Sequence, residues 1–271
     1  MGKAWLVASG KGGVGKSTVV SSLGQALSRM GLKVCIIDAD IGLRDQDALL
    51  GLENRIVYDL VDVCNKDCRL QQALISPAED STLFLLPASQ FARAKELDPK
   101  AFRRIVAELK ETFDHVLIDG PAGIERSLRG ILTADYDETI IVCTPDDICI
   151  RNAERAVFTM EGKHLPRPQL IVNRLAPDLI EAGEMYSAEV VAQTLDLPLL
   201  GEIPDDQTVY RALITRLSLM DADCESQRAL VRIARRMNGD SVPLPRLGMV
   251  KRAWYQQLFR RRIKEVKRID R

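Results

Sequence analysis

The sequence predicts an α/β fold of three layers, a mainly parallel sheet with helices on both faces. Short runs of aliphatic and β-branched residues alternate along the chain with longer amphipathic stretches, the order that a parallel sheet with crossover helices requires. Several of these runs are apolar on successive residues rather than on every second one, so their strands are expected to be buried on both faces. A Gly-rich loop joins the first such run to the first amphipathic stretch, where a strand would hand over to a helix.

Strands are predicted at residues 4–9, 34–38, 82–87, 115–119, 139–144, 170–173 and 199–203. Helices are predicted at 17–30, 99–112, 151–161, 188–195 and 225–237. A chain of 271 residues with 46% apolar and 28% charged side chains can bury a large core and stay in solution. Lys+Arg and Asp+Glu are equal at 38 each, so the overall charge names no partner. Of the six cysteines, Cys64 and Cys68 form the one close pair, and no second pair completes a zinc pattern. All six are expected to be reduced and structural, as in a cytosolic protein. The apolar run 4–8 is too short for a signal peptide, and no segment approaches the roughly 18 apolar residues of a membrane span. The chain is expected on the cytoplasmic side.

Gly10-Lys-Gly-Gly-Val-Gly-Lys16-Ser17 fits G-x-x-x-x-G-K-[ST] between a strand and a helix. The glycines let backbone N–H groups curl around phosphate oxygens, and the helix N-terminus adds positive potential. Gly12, Gly13, Val14, Gly15 and Thr18 belong to the same nucleotide-binding stretch. Lys16 is placed for the β- and γ-phosphates and the Ser17 hydroxyl for Mg²⁺. Lys11 is a second cation in the loop.

Two further strands end in carboxylates, Asp38-Ala-Asp40 and His115-Val-Leu-Ile-Asp119. The C-terminal ends of parallel strands face the ligand crevice. Asp40 is a candidate to orient attacking water, and Asp38 and Asp119 to support Mg²⁺. Gly120-Pro-Ala-Gly123 after Asp119 is expected to move with the state of the γ-phosphate. Asn173-Arg174 and Pro204-Asp205 end two later strands, on the same edge. An Asn amide suits adenine, and the guanine signature N-K-x-D is missing from the sequence, so ATP is expected rather than GTP.

A loop reading K-G-G-x-G-K-[ST] resembles the deviant Walker A of the MinD/ParA family of ATPases. The segments DADIGLRDQD, LIDGPAGIE, VNR and GEIPDD make the likeness closer to the MinD branch, from Met1 to about Asn238. The resemblance implies a P-loop NTPase fold and ATP hydrolysis with Mg²⁺. It implies an ATP-dependent homodimer in which Lys11 reaches the partner's nucleotide, and catalytic roles for Lys11, Lys16 and Asp40. It also implies adenine contacts at Asn173, Arg174, Pro204 and Asp205, and MinC and MinE as partners. The branch usually carries Asn where this chain has Asp45, commonly followed by Leu where it has Gln46, which touches the contacts of that switch segment.

Residues 1–238 are read as the ATPase domain. The stretch 239–248, with two Gly and two Pro, reads as a linker, and 249–271 as a basic amphipathic helix. From Arg246 to Arg271 ten Lys or Arg stand against Glu265 and Asp270, a local charge of +8. Trp254, Tyr255, Leu258 and Phe259 share a broad apolar face with Val266 and Ile269, interrupted by Arg262. Such a helix suits an anionic membrane surface, where each cation is worth about 1 kcal/mol. No nucleic acid is expected. On sequence alone, a ParA-like DNA-partitioning ATPase and an FlhG-like flagellar-number ATPase remain alternatives. The nine residues ahead of Gly10 leave no room for the activating segment that often opens FlhG-type chains.

Overall fold

Seven parallel strands form one sheet in the order β3-β2-β4-β1-β5-β6-β7. They are β1 (Lys3–Ser9), β2 (Val34–Asp38), β3 (Leu83–Leu86), β4 (His115–Ala122), β5 (Glu138–Cys143), β6 (Gln169–Leu175) and β7 (Leu199–Pro204). This computed structural model describes residues 1–92, 96–123, 131–245 and 247. β2 is buried at every position and β1 at every position after Lys3. Successive side chains of a strand point to opposite faces, so both faces of the sheet are covered, as the unbroken apolar runs predict. Among the described residues the sole antiparallel pairing is an isolated bridge between Ile75 and Leu85.

Ten α-helices are present among the described residues: α1 (Lys16–Arg29), α2 (Gln46–Leu50), α3 (Leu60–Asn65), α4 (Leu70–Ala73), α5 (Pro99–Thr112), α6 (Asp147–Glu161), α7 (Pro177–Glu181), α8 (Ala188–Leu195), α9 (Gln207–Thr215) and α10 (Glu225–Met237). α1 packs on β1, β2 and β4 and against α10, which lies on β7; α6 packs on β5 and β1 and against α8. Local chemistry sets the starts. α5 opens with Pro99, which needs no hydrogen-bond acceptor at that position, and with Asp98 accepting from the Lys100 and Ala101 N–H groups.

The predicted α5, α8 and α10 match the observed bounds, and α1 is shifted by one residue. α6 starts four residues before the prediction because the Asp146 carboxylate caps it, accepting from Cys149 N at 2.9 Å. β4 runs on through Gly120, Pro121 and Ala122, with Ala122 in register with Ser9. The start of the expected mobile segment is thus strand in this structure. β6 also runs further than 170–173, on through Arg174 to Leu175, and a positive φ at Arg174 coincides with a register shift.

The described part of the expected linker is strapped to the domain. The Arg236 guanidinium donates to the carbonyls of Val242 and Pro243 at 2.8 and 2.6 Å. Leu247 N donates to Glu202 Oε1 at 3.2 Å. The expected helix 249–271, with Trp254, Tyr255, Leu258 and Phe259, lies outside the described residues. Among the described residues, no helix is long and apolar enough to cross a membrane.

Candidate functional site

The loop from Gly10 to Gly15 leaves β1 and enters α1 at the C-terminal edge of the sheet. A Cβ on Gly10 would lie 2.2 Å from the Asn152 backbone, so the loop starts hard against α6. Gly15 is the N-cap of α1 in the left-handed region, at φ 87°, and a Cβ there would stand 2.6 Å from Asn173 Nδ2. Glycine answers both demands. No side chain caps α1 and its first turn holds no acidic residue. Its leading N–H groups therefore remain available to an anion. Val14 is buried and anchors the loop, while Lys11, Gly12 and Gly13 are exposed.

Beneath the loop the sheet register sets Asp38 beside Asp119, both fully buried. Lys16 is buried too, its ammonium paired with Asp119 Oδ1. Asp38 Oδ1 accepts from Asp40 N and its Oδ2 from Gln46 N, each at 3.1 Å. Gln46 Nε2 donates to Asp119 Oδ2 at 2.7 Å and to the Ser17 carbonyl at 3.0 Å. Burial, reinforced by the charge of Asp119, pushes the Asp38 carboxyl up to about 8, against the pull of two backbone N–H groups and Lys16.

Two buried carboxyl groups share one ammonium, and a divalent cation in place of the Asp38 proton would let both ionise. Mg²⁺ is commonly bound through one or two carboxylates together with substrate phosphates and its own waters, so this donor set fits it. The half-buried Ser17 hydroxyl, 3.5 Å from Lys16 Nζ, supplies a third oxygen. Asp40 lies just beyond β2, half-buried, its carbonyl accepting from Leu43 and Arg44 N. Thr18, half-buried, belongs to the first turn of α1.

The expected base-binding residues meet on one edge. Leu175 pairs with Pro204, and Asp205 N donates to the Leu175 carbonyl at 2.7 Å. Arg174 and Asp205 are exposed. Both ends of the Asn173 amide are engaged within the protein: Nδ2 donates to the Val14 carbonyl at 2.8 Å, and Oδ1 accepts from Arg174 N at 3.0 Å. Asn173 therefore ties the end of β6 to the loop between β1 and α1. A cleft of about 290 Å³ lies between them, lined by Lys11, Gly12, Gly13, Asp146, Arg174 and Met185. Burial would raise the Asp146 carboxyl, but hydrogen bonds from Thr144 and Cys149 N, with the charge of Lys11, hold it below the usual range.

Sequence reasoning missed Gln46 as a site residue, noticing it as a departure from the family pattern. It also passed over Thr144 and Asp146, although Asp146 three residues before Cys149 has the spacing of a helix cap.

The fold has close counterparts among known proteins. Residues 1–238 match the ParA family model, described as NUBPL iron-transfer P-loop NTPase. The septum site-determining protein MinD of Bacillus subtilis (strain 168) is 40% identical over 247 residues, covering 90% of this chain and 92% of that protein. The chain belongs to the MinD family of P-loop ATPases. The MinC:MinD cell division protein complex of Aquifex aeolicus offers a MinD-family chain 35% identical to this one, with a TM-score of 0.83, covering 91% of this chain and 99% of that one. MinD of Pyrococcus horikoshii OT3, complexed with Mg-ADP, is 26% identical with a TM-score of 0.77, covering 88% of this chain and 96% of that one. As a MinD-family member the chain is an ATPase, converting ATP to ADP and phosphate with Mg²⁺ as cofactor.

Proposed function

We propose that this chain is a spatial switch for placing the division septum. Bound to ATP, it dimerises and settles on the cytoplasmic face of the membrane; hydrolysis releases it. The observation that carries this reading is the contrast between two lysines of one loop. Lys16 is turned inward onto Asp119, whereas Lys11 is exposed at the mouth of the cleft. An exposed cation there can reach a nucleotide held by a second copy and stabilise charge that develops on the transferring phosphoryl group.

The other residues divide the work by position. N–H groups from Gly12 to Thr18 receive the phosphates, and Lys16 exchanges Asp119 for the β- and γ-phosphate oxygens. Ser17, Asp38 and Asp119 hold Mg²⁺, which when bound neutralises the phosphate charge. Asp40 orients the attacking water. Asn173, Arg174, Pro204 and Asp205 form the adenine side.

One amphipathic helix over 249–271, with a local charge of +7, would bind an anionic surface weakly. Two on a dimer gain avidity, by roughly 10²–10⁴-fold. That links nucleotide state to membrane binding without a new contact. MinC, which assembles with MinD of Aquifex aeolicus, and MinE are the proposed protein partners.

Sedimentation with anionic liposomes tests the reading. The full chain should pellet with Mg-ATP and not with Mg-ADP, and a chain ending at Val242 should stay in the supernatant. Failure to pellet with either nucleotide would contradict the membrane switch. Salt-sensitive DNA binding by the ATP form would then favour the ParA-like alternative.

A further inference from the structure

Gln46 occupies an unusual place for a neutral side chain. It is fully buried between the carboxylates of Asp38 and Asp119 and the first turn of α1. Both hydrogens of its amide are committed, one to Asp119 Oδ2 and one to the Ser17 carbonyl, while its main-chain N–H holds Asp38 Oδ2. Its Oε1 is buried with no hydrogen-bond partner. A buried amide oxygen without a donor is costly, and here it belongs to the same planar group that touches Asp119. The acceptor thus stands at the edge of the carboxylate pair.

We propose that Gln46 is a positioning residue for the magnesium site, and that its Oε1 is the acceptor for a water of the Mg²⁺ shell. Three ties support the role. Nε2 fixes the rotamer of Asp119, the backbone N–H fixes Asp38, and the bond to the Ser17 carbonyl fixes the start of α1 where the Ser17 hydroxyl projects. A neutral amide adds an acceptor without a third negative charge. A glutamate would repel the two carboxylates, and an aliphatic side chain could neither hold Asp119 nor accept from water. The inference rests on Mg²⁺–nucleotide binding at the loop and is independent of the dimer and the membrane.

The test compares the full chain with Gln46→Leu and Gln46→Met, both close in volume and lacking the amide. Mn²⁺ binding to the ADP complex is read by electron paramagnetic resonance, and fluorescent ADP binding is read separately in EDTA. Removing a partner that orients metal ligands typically costs roughly 10–100-fold in metal affinity. That loss is expected for Mn²⁺, with ADP affinity in EDTA unchanged. Wild-type Mn²⁺ affinity in either folded variant would overturn the proposal, as would an equal loss of ADP affinity in EDTA. The wild-type protein gives a reading that needs no variant. The Gln46 side-chain amide resonance of the ADP complex should shift when Mg²⁺ is added, and an unmoved resonance overturns the role. If Mn²⁺ fails to bind the wild-type ADP complex, the Mg²⁺ reading of the loop falls as well, which separates the two failures.

Discussion

The phosphate side and the proposed base side of the site are built in opposite ways. On the phosphate side, Lys16, Asp38, Asp119 and Gln46 are all buried and joined in one network beneath a helix N-terminus. On the base side, Arg174 and Asp205 are exposed strand-end residues, and Asn173 is committed to the Val14 carbonyl. Charge taken out of water must be matched locally, so the phosphate side should be intolerant of change. The base side rests on ordinary strand ends and should tolerate more.

The largest expected effect comes from breaking the buried network. Lys16→Ala should lower the rate of phosphate release by about 10²–10³-fold, the usual scale for losing a charge stabiliser of the transition state. It should also destabilise the nucleotide-free protein by about 3–5 kcal/mol, because buried Asp119 loses its ion-pair partner. Phosphate-release kinetics and urea unfolding check the two halves of this prediction. Wild-type stability in the variant would mean that the network does not hold the carboxylates.

A middle-sized effect should follow Asn173→Ala, which cuts the tie between the two sides. The lost hydrogen bond is worth about 0.5–1.5 kcal/mol, or up to about tenfold in affinity. Titration with ATP, GTP and inorganic triphosphate sharpens the comparison. If Asn173 acts by bracing the loop, all three weaken together. If it acts by touching adenine, ATP alone weakens.

Glu202→Gln should change hydrolysis least, because Glu202 faces the strap at Leu247 and not the nucleotide. Burial, opposed by the Leu247 N–H, pushes its carboxyl up to about 7. Between the ordinary value near 4.5 and about 7, the folded chain binds a proton that the unfolded chain lacks. Stability from this group is therefore present at low pH and lost as pH rises through that window. Urea unfolding at pH 5 and pH 8 should show Glu202→Gln gaining on the wild type at the higher pH.

The same contrast governs what could be read from sequence. The phosphate loop and the Asp38 and Asp119 strands were legible because each is a short contiguous run whose residue types the chemistry dictates. The sheet was legible because several of its strands are apolar on successive residues, as strands buried on both faces are. Gln46 was not, since its role depends on α2 folding back over Asp38 and Asp119, a contact between distant parts of the chain. Helices α2, α3, α4 and α7 are four to six residues long and carry too few turns to show a period. α9 is longer and amphipathic, but none of its residues is fully buried, and the sequence reading left it out. Sequence reading placed Asn173 near the end of its strand, as the structure has it, but its bond to Val14 depends on β6 lying two strands from β1.

The most direct test of the switch is sedimentation velocity of Asp40→Ala with Mg-ATP and with Mg-ADP. Without a residue to orient the water, ATP should persist in the site, and Lys11 of each copy should stay on the other's nucleotide. The account predicts a dimer with ATP and a monomer with ADP. A monomer under both nucleotides, with ATP still bound, would contradict it.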